Sequence, residues 1–373
     1  MVLLLGLHAA IVIICTIGLI RSGKALNSQQ YSEFVSVIVP ARNESGNILS
    51  ILEEMRQQNY PFTHMEVIVA DDFSEDSTMD LAESFMQQFP GFPLVLVPSA
   101  LTENEKSGKK RAVQRAIEVA KGGIILCTDA DTTRGPNWIS SMAGSFNRET
   151  VQMVLGPVVF NRERNLLQKI QSLEFMGIMG ITAGSASLGY PVMCNGANMG
   201  YRRSAFTGAG GYSGNIQYGS GDDQFLMASV RKLYGKKAVL FNRDASAIVG
   251  TEAEATLTGF MNQRIRWVSK SRGYSDPVVI GVGMVTWLVN LLLLGGIFAG
   301  LFYPRILALS LVIWLVKILL EYPLVSRMTR FLGKRKLLVY YVIAQAFQLV
   351  YVALTGLLGM FLPYRWKGRR MKR

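Results

Sequence analysis

Pairs of carboxylates are the residues of this chain with the clearest potential for chemistry. Asp129 and Asp131 stand one residue apart, directly after the apolar run Gly123–Cys127. At the end of a buried strand, two such carboxylates can share a hard divalent cation, and a cation held there can bridge to phosphate oxygens. Most Asp-x-Asp tripeptides are solvated turns, so this pair gains meaning only from the elements that position it.

Those elements alternate between strand-like and helix-like patterns. The apolar runs Phe34–Val39, Glu66–Ala70 and Leu94–Val97 are separated by segments whose apolar residues recur at helical spacing, and Gly123–Cys127 continues the series. This β-α-β-α-β succession predicts a doubly wound, mostly parallel sheet in an α/β domain. Such sheets bind ligands at the carboxyl ends of their strands.

Polar loops follow three of these predicted strands. Pro40–Glu44 follows the first, Asp71–Ser77 the second and Asp129–Asp131 the fourth. Each loop alone is explained by ordinary turns, and Asp71–Asp72 could cap the next helix. Three such loops at one sheet edge concentrate negative charge, which a cation or a hydrogen-bonding base would relieve.

Two further groups lie downstream. Asp222 and Asp223 are adjacent acids, whose repulsion raises one pKa and suits a general base, although a helix cap explains them equally well. Gln263, Arg266 and Trp267 share one face of a predicted helix just before an apolar segment. Arg and Trp at that place also fit a membrane-interface belt.

Half of the residues are apolar, and the excess is localised. Four runs are about long enough to cross a bilayer: Val2–Ile20, Val278–Tyr303, Ile306–Val325 and Leu337–Leu362. We interpret the first as a retained anchor. Arg21 and Lys24 after it favour a cytoplasmic location for the polar middle of the chain.

The net charge of +13 does not indicate nucleic-acid binding, because the basic excess clusters between two apolar segments and in the tail. These clusters fit the cytoplasmic face of an anionic bilayer. Three full crossings after a cytoplasmic domain would put the tail outside, so we expect one segment not to cross fully. Three cysteines and two histidines provide neither a disulfide framework nor a His-rich zinc site.

Five ordered motifs carry a resemblance. P-A-R-N-E, V-I-V-A-D-D-F-S-E-D-S-T, C-T-D-A-D, D-D-x-x-L and Q-x-x-R-W follow one another between about Val35 and Lys270. This series resembles the family 2 glycosyltransferases of the GT-A fold, and Trp366–Arg369 looks like the end of membrane-bound members that glycosylate lipids. The resemblance implies an anchor at 1–24, a GT-A nucleotide-sugar-binding domain at 33–276, and C-terminal transmembrane helices and a basic tail at 277–373.

The resemblance also implies roles for individual residues. The nucleoside pocket would be lined by Pro40, Ala41, Arg42 and Glu44, with Asp72 bonding the base, typically uracil. Lys109 of a G-K-x-x-A pattern and Asn198 of Cys194–Gly200 would lie beside the donor. Asp129 and Asp131 would hold Mg²⁺ or Mn²⁺ against the diphosphate. Asp223 would be the general base, beside Asp222 where the family has Glu. The acceptor and diphosphate would be covered by Gln263, Arg266 and Trp267.

The expected function is inverting transfer of a sugar from a nucleotide-diphosphate sugar, with UDP as the expected nucleotide, to a hydroxyl of a membrane lipid or lipid-linked acceptor. We expect a multi-pass protein of the cell (inner) membrane with a cytoplasmic catalytic domain. One alternative is a processive polysaccharide synthase extruding a β-linked glycan, for which the membrane portion is small. The other is a non-catalytic membrane nucleotide-binding or transport protein, in which Lys317 and Glu321 could pair on one helix face.

Overall fold

The computed structural model describes residues 2–22, 33–99, 108–215, 221–361, 364–366 and 369–371. The chain forms two compact units, each built from separate stretches. The sheet unit comprises Gly23–Val159 and Cys194–Glu252, and the helical unit comprises Met1–Ser22, Phe160–Met193 and Ala253–Arg373. The two units interleave along the chain, which differs from the continuous 33–276 domain expected from sequence.

The sheet unit is built on a seven-stranded sheet in the order β3-β2-β1-β4-β8-β6-β9, with β5, β10 and β7 forming a second, three-stranded sheet. The strands are β1 Val35–Ala41, β2 Met65–Asp71, β3 Leu94–Val97, β4 Ile124–Thr128, β5 Thr133–Arg134, β6 Met153–Leu155, β7 Val158–Phe160, β8 Asn198–Arg202, β9 Val239–Phe241 and β10 Val249–Thr251.

Six strands of the larger sheet run in one direction and β8 alone runs against its neighbours. The predicted mostly parallel α/β sheet is therefore confirmed. The helices of this unit are α2 Ile48–Arg56, α3 Thr78–Gln88, α4 Lys109–Val119, α5 Trp138–Gly144, α7 Arg203–Gly208 and α8 Asp222–Tyr234. Since β1 to β4 alternate with α2 to α4, the carboxyl ends of β1, β2 and β4 meet at one edge.

Strand β1 continues past the proline at which the sequence predicts its end. Pro40 pairs with Ala70 of β2, and Ala41 pairs with Asp71. On the other side, β4 pairs with β1 only as far as Ile38. Pro40 lies beyond the end of this pairing between β1 and β4. Although proline has no backbone N–H to donate, the β1–β4 ladder therefore loses no hydrogen bond at this position.

The helical unit contains α1 Val2–Arg21, α6 Leu166–Ser187, α9 Leu257–Ser269, α10 Pro277–Gly300, α11 Pro304–Phe331 and α12 Tyr341–Phe361. By length and composition, four described stretches could cross a membrane: Val2–Arg21, Pro277–Gly300, Pro304–Phe331 and Arg335–Gly359. They coincide with the four apolar runs of the sequence, and they indicate a membrane protein.

Helix α6 belongs to the helical unit because it packs against α1, α11 and α12. Its approach to α1 depends on Gly184. A Cβ atom built there would lie 2.0 Å from the carbonyl oxygen of Cys15, a distance that no side chain tolerates. Small residues allow helix backbones to approach this closely, as in other helix pairs of membrane proteins.

A cluster of polar side chains lies inside the helical unit. Glu321 of α11 contacts the His8 imidazole of α1 at 2.7 Å and the Lys317 ammonium at 3.0 Å. Lys317 also donates to Gln345 and Gln348 of α12, each at 2.8 Å. The pairing of Lys317 with Glu321 expected from their spacing is thus confirmed. Each of the three ammonium hydrogens has an acceptor, which offsets the desolvation of the charge.

The tail forms a short antiparallel hairpin of strands β11 Tyr364–Trp366 and β12 Arg369–Met371. Residues 367, 368, 372 and 373 lie outside the described part of the chain, as do all side chains of the tail.

Candidate functional site

The loops after β1 and β2 are fastened to each other by Arg42. Its Nη1 donates to the carbonyl oxygens of Asp72 at 2.6 Å and Phe73 at 2.8 Å, and its Nη2 pairs with Glu75 at 3.1 Å. Only 5% of Arg42 is exposed. The guanidinium therefore shapes the pocket expected beside it, and Pro40 and Ala41 form the buried strand end beneath.

Two residues of these loops adopt the left-handed conformation, Asn43 with φ of 51° and Phe73 with φ of 59°. The Asn43 amide side chain accepts a hydrogen bond from the Glu75 backbone at 2.8 Å, which stabilises its conformation. Glu44 donates its backbone N–H to Thr78 Oγ1 at 2.7 Å. Loops held by so many cross-links can present a pre-formed surface to a flat ligand.

Asp72 is buried at the end of β2, where its Oδ1 accepts a hydrogen bond of 2.7 Å from the backbone N–H of Gly108. Burial raises the pKa of Asp72 above its usual range, although the Gly108 N–H and the Arg42 guanidinium oppose that shift. A buried carboxylate at a strand end is well suited to accept hydrogen bonds from a planar base.

Asp129 follows β4 and pairs with the ammonium of Lys109 at 2.5 Å. Its side chain is 34% exposed, and Asp131 is exposed. Two accessible carboxylates suit Mg²⁺ or Mn²⁺, which bind oxygen ligands and take the remaining ones from phosphates and water. This matters here because no described group of three or more His, Cys, Asp or Glu residues could hold a metal ion by itself.

Arg134 is a buried cation that the sequence did not single out. Its side chain is fully buried, pairs with Glu54 at 3.4 Å and lies over the Trp138 ring at 5.4 Å. Burial lowers the pKa of Arg134 to about 10, while Glu54 and Asp129 oppose that shift. The charge therefore persists at neutral pH and stabilises the turn that carries Asp131. Its partner Glu54 is distant in sequence, so the sequence alone did not reveal this buried pair.

Asp223 lies at the beginning of α8 and is 7% exposed. Its Oδ2 accepts a hydrogen bond of 3.0 Å from the backbone N–H of Gly196. The preceding Gly221 has φ of +88°, which is strained for any residue with a Cβ and sets the entry into the helix. The Asp222 side chain lies outside the described residues, so the choice between the two acids as base stays a prediction.

The loop bearing Gly196 is joined to β4 beside the Asp129 pair. Thr128, the last residue of β4, donates its hydroxyl to the carbonyl oxygen of Ala197 at 3.0 Å. One continuous set of contacts therefore links Asp223, through Gly196 and Ala197, to the strand that ends at Asp129. The structure brings the predicted general base and the predicted metal ligands to the same edge of the sheet.

Asn198 differs from the donor-binding role expected for it. Its Nδ2 donates to the carbonyl oxygens of Pro157 and Ala247, each at 2.8 Å, and its Oδ1 accepts from the Trp138 indole at 3.0 Å. Only 1% of the residue is exposed. The amide is thus used to join β8 to its neighbours in the core, because an unpaired amide there would be costly.

Gln263, Arg266 and Trp267 lie on α9 in the helical unit. Gln263 donates to Glu254 at 3.4 Å, and Trp267 lies 6.2 Å from Phe175 between ring centroids. These contacts fix two of the three side chains on the helix.

Two family models match the chain. The model described as "Glycosyl transferase family 2" matches residues 36–208, and the model described as "Glycosyl transferase family group 2" matches residues 124–362. The second match covers well over half of the chain and includes α9 and the C-terminal helices.

Individual relatives are similar over shorter stretches. Glycosyltransferase AglE of Haloferax volcanii is 31% identical over 127 residues, which are 34% of this chain and 40% of that protein. An N-acetylglucosaminyltransferase of Rhizobium meliloti is 28% identical over 242 residues, 62% of this chain and 54% of that protein. A hyaluronan synthase of Streptococcus pyogenes is 28% identical over 173 residues, 45% of this chain and 40% of that protein. The chain thus spans about half the length of these relatives or less.

Among solved structures, the mannosyltransferase PcManGT from Pyrobaculum calidifontis, in complex with GDP-Man and Mn²⁺, superimposes with a TM-score of 0.59 at 18% identity. The match covers 95% of this chain and 97% of that one. At this identity the likeness shows a shared fold, over both the sheet unit and the helical unit.

Proposed function

Because the chain belongs to the family 2 glycosyltransferases, with a GT-A fold, we propose that it transfers one sugar from a nucleotide-diphosphate sugar to a hydroxyl group of a membrane lipid or lipid-linked acceptor. The donor is expected to be UDP-linked, and the transfer to invert the anomeric configuration. The sheet unit is expected on the cytoplasmic side of the cell (inner) membrane.

The observation that carries this proposal is the set of contacts at one edge of the sheet. Gly108 bonds Asp72, and the adjacent Lys109 pairs with Asp129. Gly196 bonds Asp223 beside the end of β4. These contacts support a nucleotide sugar bound with its base at Asp72, its diphosphate at Lys109 and Asp129, and its sugar near Asp223.

In the proposed reaction, Asp72 accepts hydrogen bonds from the base, within the pocket shaped by Arg42 and bordered by Glu44. Asp129 and Asp131 would hold Mg²⁺ or Mn²⁺, which supplies positive charge where the diphosphate departs. The ammonium of Lys109, already at Asp129, adds a second positive charge there. The Mn²⁺ in the PcManGT complex supports this assignment of the metal.

Asp223 removes the proton of the acceptor hydroxyl while that oxygen bonds to the anomeric carbon. The bond between the same carbon and the diphosphate oxygen breaks on the opposite face, and the diphosphate leaves with the electron pair. The hydrogen bond from Gly196 orients the carboxylate for this proton transfer. We assign the acceptor end and the diphosphate contacts to Gln263, Arg266 and Trp267 by the same family resemblance.

A processive synthase is the second candidate. The similarity to a hyaluronan synthase, over 45% of this chain, favours it. Against it, the described membrane part comprises four candidate spans, which is small for a channel that conducts a polymer. A single transfer is therefore the better-supported function.

The test incubates the purified full-length protein with Mn²⁺ or Mg²⁺, a total lipid extract and each of a panel of nucleotide sugars. We expect metal-dependent release of nucleoside diphosphate with one donor, together with a labelled lipid product. No release with any donor, with or without lipid, would contradict the proposed function.

Asp223→Asn is the decisive variant. It keeps an oxygen that can accept the Gly196 N–H but cannot take a proton, so we expect transfer to fall by about 10²–10⁴-fold. Donor affinity should change little, which a binding titration with the nucleotide sugar measures. Asp80→Asn, an exposed acid on α3, is the control. Near-normal turnover by the Asp223 variant would remove that residue from the role of base.

A further inference from the structure

Arg264 is a buried cation inside the Gln263–Trp267 motif, at a position to which the proposed reaction gives no role. Only 3% of the residue is exposed. A charge at this depth requires a partner, and Arg264 finds it in Glu174 of α6, with which Nη2 forms an ion pair. The Glu174 side chain is 8% exposed, so water screens this pair little.

The guanidinium of Arg264 contacts two of the three residues of the motif to which the proposed function gives a role. Nη1 donates a hydrogen bond to Oε1 of Gln263. The same group lies over the ring of Trp267, 4.1 Å from its centroid. A planar guanidinium can stack on an aromatic ring and donate in its own plane at the same time, which an ammonium cannot.

Two other helices of the helical unit fix the guanidinium itself. Tyr351 of α12 donates its hydroxyl to Oε1 of Glu174 at 2.6 Å, so the carboxylate is held from α12 while it holds Arg264. Phe260 of α9 also contacts the guanidinium, with its ring centroid 4.5 Å away, and lies 5.1 Å from the Tyr351 ring between centroids. The orientation of Arg264 is thus set by α6, α9 and α12 together.

Gln263 is consequently held at both ends of its amide. Its Oε1 accepts from Arg264, and its Nε2 donates to Glu254 at 3.4 Å. Trp267 lies between Arg264 and Phe175. Without Arg264 the amide of Gln263 and the indole of Trp267 each lose one of two described contacts.

We propose that Arg264 is a positioning residue, which holds Gln263 and Trp267 in the orientation that receives the acceptor and transmits the placement of α6 and α12 to them. This inference rests on the proposed function of those two residues. Arg264 acts only through its neighbours, so its loss should impair transfer to the acceptor and leave binding of the donor unchanged.

Arg264→Lys tests the proposal because it separates charge from shape. Lysine keeps a positive charge that can pair with Glu174. Its ammonium lacks the planar, forked guanidinium that stacks on Trp267 and donates to Gln263 at the same time. We expect kcat/KM for the acceptor to fall about tenfold or more, while the donor Kd stays within about twofold. A residue needed only to balance the charge of Glu174 would be largely replaced by lysine, so near-normal transfer would overturn the proposal.

Arg202→Lys is the matched control. Arg202 also lies over an aromatic ring, 5.7 Å from the centroid of Phe146, but its guanidinium donates to two backbone carbonyl oxygens and it belongs to β8 of the sheet unit. We expect this variant to lose stability without a selective loss of transfer. An equal fall in acceptor kcat/KM in both lysine variants would also overturn the proposal.

Tyr351→Phe decides the matter if Arg264→Lys does not fold. It deletes one hydroxyl and leaves the ion pair intact, so we expect acceptor kcat/KM to fall about two- to fivefold with the donor Kd unchanged. Unaltered transfer, or weakened donor binding, would count against Arg264 as a positioning residue. Absence of transfer by the wild-type protein would instead remove the proposed function, and this inference with it.

Discussion

Asp72 combines two properties that oppose each other in most proteins. Its carboxylate is buried, which penalises the charge and raises its pKa, yet the proposed role requires the charged form to accept hydrogen bonds from a base. The Gly108 N–H and the Arg42 guanidinium make the charge tolerable. The base of the nucleotide sugar would supply further hydrogen-bond donors to the carboxylate. Binding of the nucleotide sugar and ionisation of Asp72 should therefore be linked.

We therefore predict that donor affinity falls as the pH drops through the raised pKa of Asp72, above the usual range of an aspartate. The neutral carboxyl loses acceptor capacity, while the ionised form is present at higher pH and binds. Calorimetric titration with an intact nucleotide sugar measures this, because its diphosphate has no ionisation near neutrality. Asp72→Asn should bind weakly with no such pH dependence, and retention of the dependence in that variant would refute the assignment.

Lys109 competes with the expected metal for Asp129, since its ammonium lies 2.5 Å from Oδ1. Lys109→Met should therefore strengthen Mn²⁺ binding without nucleotide by a few-fold, a modest effect because Asp129 is 34% exposed and water screens the pair. Turnover should nevertheless fall, because the diphosphate loses a cation. Titration of free Mn²⁺ by electron paramagnetic resonance checks the first effect.

The control is Lys232→Met, which removes an exposed cation at the end of α8. This variant should leave both Mn²⁺ affinity and turnover unchanged. Weaker Mn²⁺ binding in the Lys109 variant than in wild type would show that the ammonium supports the metal site instead.

At the scale of single residues, sequence reasoning succeeded where an acid follows a strand. Asp72 and Asp129 could be found because each follows a parallel strand, and the carboxyl ends of these strands meet at one edge. Asp223, at the beginning of α8, was singled out by its adjacent acid and its motif. It did not foresee the buried Asn198, whose three hydrogen bonds depend on partners distant in sequence. Arg134 and Arg264 escaped it for the same reason, because a buried cation is defined by partners on other elements.

At the scale of elements, β1 to β4 and the first three helices of the sheet unit follow periodic patterns that sequence displays directly, whereas the shorter strands β5 to β10 were not predicted. Helix α6 does not follow such a pattern, because the small residues around Gly184 allow a close approach of α1 without forming an apolar stripe. Its membership of the helical unit divides the expected 33–276 domain. A substitution that disrupts the contact between α6 and α1 therefore tests whether α6 belongs to the helical unit.

Gly184→Ala should separate α1 from α6, since the added Cβ would lie 2.0 Å from the Cys15 carbonyl oxygen. We expect a lower melting temperature in detergent and faster alkylation of the buried Cys15 thiol. Gly281→Ala in α10 is the control, because a Cβ there meets nothing within 4 Å and alanine favours the helix by about 1 kcal/mol. Equal melting temperatures in the two variants would contradict the close crossing.

At the scale of the whole molecule, the size of the helical unit bears on the product. The described residues contain four candidate spans, and inside the helical unit Lys317 and Glu321 bond to each other and to Gln345. A membrane part of this described size favours a single transfer over extrusion of a polymer. We predict a product that is heavier than its acceptor by a single sugar, even with a large excess of donor. Mass spectrometry of the extracted lipid decides this, and a ladder of masses spaced by one sugar would favour the processive synthase.

The hydrogen bond between His8 and Glu321 has a consequence for how the protein is made. The two residues are separated by 313 positions, so at 5–20 residues per second the ribosome needs roughly 16–63 s to supply the carboxylate after the imidazole has emerged. During that interval the described partners that α1 can reach are helices made earlier, α6 and then α10. The arrival of α11 adds the last of these partners, so the final third of the chain must be made before the first helix is fully packed.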